Sequence, residues 1–325
     1  MLRTIMIAAA MACCVATALH AQDSASSYPS RPVRVIVAGA PGGNPDVLAR
    51  LVSQRLAEEF GKPFVVETMP GSNGFLAARM VASSPPDGYT LMLSESGMMA
   101  INPALFSDLQ YNPLTDFAPI TGLVEVPTVL VVPPSLGVNT AGEFIKLAKS
   151  HPGALNYGSG GLGSIHHLTM AVFAAQVGIE IKHVPYRGGT ELVNGLMTGE
   201  IQAGWSGIPP VLSLIESNRL RALCISTARR SKSLPDVPTA IEAGVPGFDY
   251  ATTIGLVAPA GTPPTIIARL EAAAERAVHD PVVAERMTSL GMAERAKGAA
   301  EYASFIRQDY ERFHSVVQEL KLQIR

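Results

Sequence analysis

"YGSGGLGS", residues 157–164, follows the short run Leu155-Asn156-Tyr157 and precedes "IHHLTMAVFAAQVG", which reads as a helix. Gly158, Gly160 and Gly163 spell G-x-G-x-x-G between a strand and a helix, the pattern of a dinucleotide loop. Dinucleotide binding also needs an acid at the end of the next strand, to hold the ribose hydroxyls. The candidate there is Glu180, but it stands at the start of "IEIKHVPY", and the strand ends at Val184-Pro185. The stretch therefore has the strand-loop-helix form of an α/β protein without the rest of a nucleotide site. No cofactor is expected.

The alternation continues on both sides. "RPVRVIVAG" reads as a buried strand and "NPDVLARLVSQRLAEEFG" as a helix, with Leu48, Val52, Leu56 and Phe60 on one face at i+4 spacing. Asn44 is placed to cap it, Pro45 sits in its first turn and Gly61 ends it. "PFVVET", "NGFLAARMVASS" and "YTLMLS" continue as strand, helix and strand, followed by two extended runs, "FAPITGL" and "PTVLVVP". A second round opens with "TAGEFIKLAKSHPG" and runs through the glycine loop to "RLRALCIST". "TTIGLVAPAG" is a further strand, leading into a helix at Thr262-Pro263. A long helix from about Ala299 to Leu322 places Phe305, Ile306, Phe313, Val316, Val317 and Leu320 on an apolar face. This pattern predicts an α/β fold with a mostly parallel sheet and right-handed crossovers.

The N-terminal "MLRTIMIAAAMACCVATALHAQ" has an early cation, Arg3, an apolar run from Ile5 to Leu19 and a small residue at Ala21. It reads as a secretory signal peptide over residues 1–21, too short for a membrane span. Cys13 and Cys14 fall inside it, which leaves Cys224 without a disulfide partner. Its setting, "LRALCISTA", reads as a buried strand with Cys224 as a small core residue. Charge is nearly balanced, with 25 Lys+Arg against 27 Asp+Glu and no basic stripe, so no nucleic-acid partner is expected.

Enzyme patterns are incomplete. A nucleophile elbow needs G-x-S-x-G, but "GWSGI" has Ile208 in the last position. "FGKPF" lacks the upstream glycine and the hydroxyl of a phosphate-binding loop. His166 and His167 are neighbours on a helix, about 100° apart, and cannot chelate one ion from one face. What remains is three loops rich in Gly, Ser and Asn, each following a strand and opening a helix: "AGAPGGNPD", "MPGSNG" and "GSGGLGS". Helix N-termini present unpaired N–H groups and partial positive charge, so together these loops suit an anion. Tight turns alone would also use Gly and Asn.

The ordered motifs "YPSRPVRVIVAGAPGGNPDVLARLV", "PGSNGFLAARMVASSPPDGYTLM", "INPALFSDLQYNPLTDFAPITGL", "NYGSGGLGSIHHL", "HVPYRGGTELVNGLMTGEIQAGW" and "GLVAPAGTPPTII" resemble the Bug/TctC family over nearly the whole chain after the leader. These are periplasmic solute-binding receptors of tripartite tricarboxylate transporters. The resemblance implies a type II periplasmic binding protein fold, without enzymatic activity. Its two lobes are joined by crossing strands, here "PTVLVVPP" and "ATTIGLVAP", and close on a ligand. Lobe one is then 29–130 plus 255–325, and lobe two 131–254.

The resemblance also implies a site. The first ligand loop falls on Ala40, Gly42, Gly43 and Asn44, with Asp46 capping and ordering the loop rather than touching ligand. The second loop offers Ser72. Ser94 and Ser96 follow the third strand, with Glu95 between them turned the other way. Ser159, Gly160, Gly163 and Ser164 wrap a carboxylate. Arg187 either pairs with a distal carboxylate or braces its loop. Trp205 either stacks on a ligand ring or lies in the core, and Ser206 faces the cleft mouth. Asn194, Gln202 and Ser206 stand where the family commonly has acids. A neutral Ser206 argues for a carboxylate without an amino group, aromatic or dicarboxylic. The expected partners are that ligand and membrane transporter subunits, with the receptor a monomer in the periplasm. An exported α/β hydrolase acting on a carboxylic ester is the alternative.

Overall fold

The computed structural model describes residues 28–39, 41–71 and 74–319, so the leader peptide, Ala40 and Ser72 lie outside the described residues. In chain order, the first round is β1 (Val33–Val37), α1 (Asn44–Phe60), β2 (Phe64–Thr68), α2 (Phe75–Ala82) and β3 (Thr90–Glu95). A π-helical turn, Gly97–Ile101, leads into the short α3 (Asn102–Leu105) and then β4 (Phe117–Val132). The second round is α4 (Ala141–Ser150), β5 (Asn156–Ser159), α5 (Ile165–Val177), β6 (Lys182–Pro185), α6 (Gly189–Thr198), β7 (Ala203–Gly207), α7 (Pro209–Glu216) and β8 (Arg221–Ile225). The chain ends in β9 (Ala251–Pro259), α8 (Pro264–His279), α9 (Pro281–Ser289), β10 (Ala293–Gly298) and α10 (Ala299–Glu319).

Helix α1 forms as its sequence dictates, with one difference. Gly43, not Asn44, is the capping residue, Pro45 sits in the first turn, and Gly61 closes the helix in the left-handed conformation. Asp46 accepts from the Gly42 N–H at 2.8 Å and pairs with Arg50, so it orders the loop as expected. The neighbouring guanidinium holds its carboxyl below the usual range.

The sheet is mixed rather than mostly parallel. Strand β1 pairs β2 and β3 in parallel, and β5 pairs β6 and β7 in parallel. Between these βαβ units, β9, β4, β8 and β10 run antiparallel, because the crossing strands return against the units they join. The two runs read separately as "FAPITGL" and "PTVLVVP" are one strand. Residues 117–127 of β4 pair with β9, and residues 128–132 pair with β7 and β8. Pro127 stands at the changeover, and the register shifts beside Pro119, where an irregular ladder tolerates a missing N–H donor.

Each half of the sheet is covered on both faces, which explains why its strands read as continuous apolar runs. Along β4, Val129 and Val131 join Leu192 and Leu196 on one face. Leu130 and Val132 join Phe144, Phe173, Trp205 and Phe248 on the other. The last turns of α10 reach this second cluster through Phe313 and Val317. Cys224 is fully buried there as a free thiol, and burial pushes its pKa up to about 12. Among the described residues, no helix is long and apolar enough to cross a membrane.

Candidate functional site

A cavity of about 470 Å³ opens between the two rounds of the fold. Its first wall comes from the ends of β1 and β3 and the start of α2: Ala38, Gly71, Gly74, Glu95 and Gly97, continued by Met98, Ile101 and Asn102. Its second wall is the loop between β5 and α5, residues 160–165, and Thr252 of β9 closes one side. Both walls therefore end in glycine-rich turns at helix N-termini, where backbone N–H groups lack helical partners.

The loop of the second wall is held in place from behind. Ser159 Oγ donates to the Gly161 carbonyl at 2.9 Å and accepts from the Gly161 N–H at 3.1 Å. With its single proton used, its other lone pair accepts from His183 Nε2 at 2.7 Å. His183 stacks on His167 at 4.1 Å between centroids and on Tyr157 at 4.9 Å. His167 Nδ1 accepts from the Gly163 N–H at 3.1 Å, which requires that nitrogen to be unprotonated. Burial keeps both His166 and His167 neutral, with pKa values pushed down to about 4. Gly163 has φ +77°, the left-handed region, and a Cβ on Gly160 would sit 3.2 Å from His166 Nδ1. Ser164 caps α5 by accepting from the His167 N–H at 3.3 Å.

The first wall has a different finish. Ser94 of β3 points away from the cleft, and so does Ser96, which follows the strand in helical conformation at the start of the π-helical turn. Ser94 Oγ bonds the Gly255 carbonyl at 3.1 Å and the Tyr302 hydroxyl at 2.9 Å, while Ser96 Oγ accepts from the Thr253 N–H at 2.9 Å. Glu95, turned the other way, lines the cavity. Burial alone pushes its carboxyl up to about 7.

Several sequence-predicted positions therefore move. Gly160, Gly163 and Ser164 meet in the cleft with Ala38. Ser94 and Ser96 are buried on the opposite face of β3, under α10, and Ser159 is saturated by its own loop. Gly42, Gly43 and Asn44 order the start of α1 without lining the cavity. Arg187 is exposed, its backbone N–H held by Glu191 at 3.0 Å, off the cleft wall. Trp205 lies in the core, stacked on Phe248 at 5.5 Å and edge-on to Phe173 at 5.8 Å. Ser206 is buried beside it, donating to the Gly207 carbonyl at 3.0 Å. The sequence reading missed Glu95, Gly97, Met98, Ile101, Asn102 and Thr252 as wall residues. Strand alternation offered the signal for Glu95. It fixes which residues share a face, but not which face meets the cleft.

A second cavity of about 410 Å³ lies beside Pro127, lined by Glu125, Arg229, Arg230 and residues of α9 and β10. Glu125 and the two arginines are committed within the protein. Glu125 pairs with Arg229 at 3.2 Å and Arg295 at 2.7 Å, and Arg230 pairs with Glu242 at 2.9 Å. The first cavity is the better ligand site: it opens onto the first turn of α5, and among the described residues its one carboxyl, that of Glu95, has no ion pair.

Two α/β lobes joined by a shared strand, with a glycine-lined cleft between them, define the class of periplasmic binding proteins. Residues 48–322 match the family described as TctC, Tripartite tricarboxylate transporter family receptor, and the chain belongs to that family of solute-binding receptors, which are not enzymes. It is 34% identical to BugT of Bordetella pertussis, over 94% of each chain. An R. palustris protein solved with adipate shares 32% identity and a TM-score of 0.78, over 90% of this chain and 98% of that one. MatC of Rhodopseudomonas palustris, solved with bound malate, shares 33% identity and a TM-score of 0.75, over 89% and 100%.

Proposed function

We propose that this chain is a periplasmic receptor that captures a small organic carboxylate in the interlobe cleft and delivers it to a tripartite tricarboxylate-type membrane transporter. The observation that carries this reading is the pair of glycine-rich helix N-termini facing one cavity from opposite lobes. One carboxylate of the ligand sits on the Leu162 N–H and the first N–H groups of α5, Ile165 and His166, with the Ser164 hydroxyl beside it. Ligands known from similar chains, adipate and malate, have this chemistry. The chain acts as a monomer after loss of residues 1–21. Lobe one (29–130 and 255–325) closes on lobe two (131–254), with the last turns of α10 seated on the lobe-two core. Closure follows from contacts that the ligand makes better in the closed state.

Ser206 is buried away from the cleft mouth and an acid, Glu95, lines the wall, so a neutral Ser206 does not select an ammonium-free, aromatic or dicarboxylic ligand. A thermal-shift screen of the secreted protein against a panel of mono-, di-, amino- and aromatic carboxylates tests the receptor reading. Saturable stabilisation without product formation is expected. No shift with any member, or turnover of an ester, would overturn it in favour of the hydrolase alternative.

A further inference from the structure

We infer that Glu95 is a specificity residue of the cleft, selecting ligands that carry an ammonium group as well as a carboxylate. The inference rests on the carboxylate-receptor reading and deepens it. Glu95 is the one charged side chain lining this cavity among the described residues. No lysine or arginine accompanies it, and among those residues no hydrogen bond or ion pair moves its titration; desolvation alone does. Its strand neighbours are committed elsewhere, Ser94 to Tyr302 and Gly255, Ser96 to Thr253. The carboxyl is thus held in the wall by β3 with no ion pair or hydrogen bond among the described residues.

When the lobes close, water leaves the cleft, and an ionised carboxylate without a partner becomes costly. A purely anionic ligand makes this worse, because its second acid would approach a like charge or force Glu95 to take up a proton. A zwitterion satisfies both walls at once. Its carboxylate lies on the Leu162 N–H and the first N–H groups of α5, and its ammonium meets Glu95 across the cavity. Met98, Ile101 and Leu162 supply apolar surface between these two ends.

The test is calorimetry with matched pairs: glutamate against glutarate, aspartate against succinate, phenylalanine against 3-phenylpropanoate. For at least one pair the amino member should bind the wild-type protein about tenfold or more tightly, the scale of one charge-assisted contact. Glu95→Gln, which keeps the shape and removes the charge, should bring that ratio to about one. Glu95→Asp, which keeps the charge on a shorter arm, should retain a preference for the amino member. Tighter wild-type binding of the desamino member of every pair, or a ratio that Glu95→Gln leaves unmoved, overturns the assignment to Glu95 alone. Absence of binding by every compound overturns the carboxylate-receptor reading, and this inference with it.

Discussion

The lobe-one and lobe-two walls of the cleft are built from the same parts, a strand end, a glycine turn and a helix N-terminus, but their polar groups are spent differently. In the lobe-two wall the polar side chains behind the turn mostly serve it, although His166 Nδ1 packs beside Gly160 without a hydrogen bond. Ser159, His183 and His167 form one chain of contacts that ends on the Gly161 and Gly163 backbone. In the lobe-one wall the serines of β3 are turned into the lobe, and the cleft receives an acid with no partner among the described residues. One wall is preorganised and neutral, and the other is set up to be completed by what binds. Preorganisation lowers the cost of fixing a ligand, whereas an unpaired group chooses among ligands.

The largest effect that would sharpen this contrast lies beneath the lobe-two wall. Trp205→Ala should cost about 3–5 kcal/mol, the usual range for a fully buried large aromatic, in denaturant unfolding of the ligand-free protein. Ligand affinity of the fraction that folds should stay the same. A selective loss of affinity for aromatic ligands would return Trp205 to the cleft. Gly163→Val comes next. A β-branched residue at φ +77° is strained by roughly 1–2 kcal/mol or more, and it adds bulk where the ligand carboxylate is to sit. Affinity for the best carboxylate of the panel should fall by about a hundredfold or more. Gly137→Val, also at positive φ (+75°) but away from the cavity, should carry the strain without the binding loss.

Acid should pull the walls apart. The folded-state pKa values of His166 and His167 lie near 4, below the 6.5 of the unfolded chain, so the unfolded state takes up protons first as pH falls. Stability from these rings is present above pH 6.5 and lost on the way down to pH 4. Glu95 has the opposite sign. Its folded value of about 7 exceeds the unfolded 4.5, so its contribution grows as pH falls from 7 to 4.5. Urea unfolding of ligand-free protein between pH 7 and 4 should show His167→Gln flattening the acid loss by on the order of 2 kcal/mol. Glu95→Gln should steepen it. A common direction for both variants would break the contrast. The smallest effect is Ser159→Ala, which should cost about 1 kcal/mol and loosen the 160–164 loop, read as faster amide exchange there.

Much of this was legible in the chain. The helix spacing of Leu48, Val52 and Leu56, the Gly61 stop and the ordering role of Asp46 follow from local rules, and the structure has them. The glycine loop of lobe two was readable because backbone geometry demands glycine there whatever the ligand. The misassigned positions share a cause. Ser94, Glu95, Trp205 and Ser206 sit on strands, where alternation defines two sides but only long-range packing, here α10 over β3 and Phe248 over Trp205, decides which side is open, and Ser96 stands in the helical turn just after β3. Strand β10 and helix α9 escaped the reading because "AERAKG" is polar and its pairing with β4 is nonlocal.

Strand β4 is the one element that both halves of the sheet share, pairing with β9 and β10 before Pro127 and with β7 and β8 after it. Each lobe therefore borrows a strand that is covalently continuous with the other's. A chain cut at Pro127 leaves both pieces with an unpaired sheet edge, and a fragment carrying lobe two alone lacks the α10 side chains Phe313 and Val317 that complete its core. The two lobes are consequently a single cooperative folding unit, whose unfolding in urea should be one transition and not two.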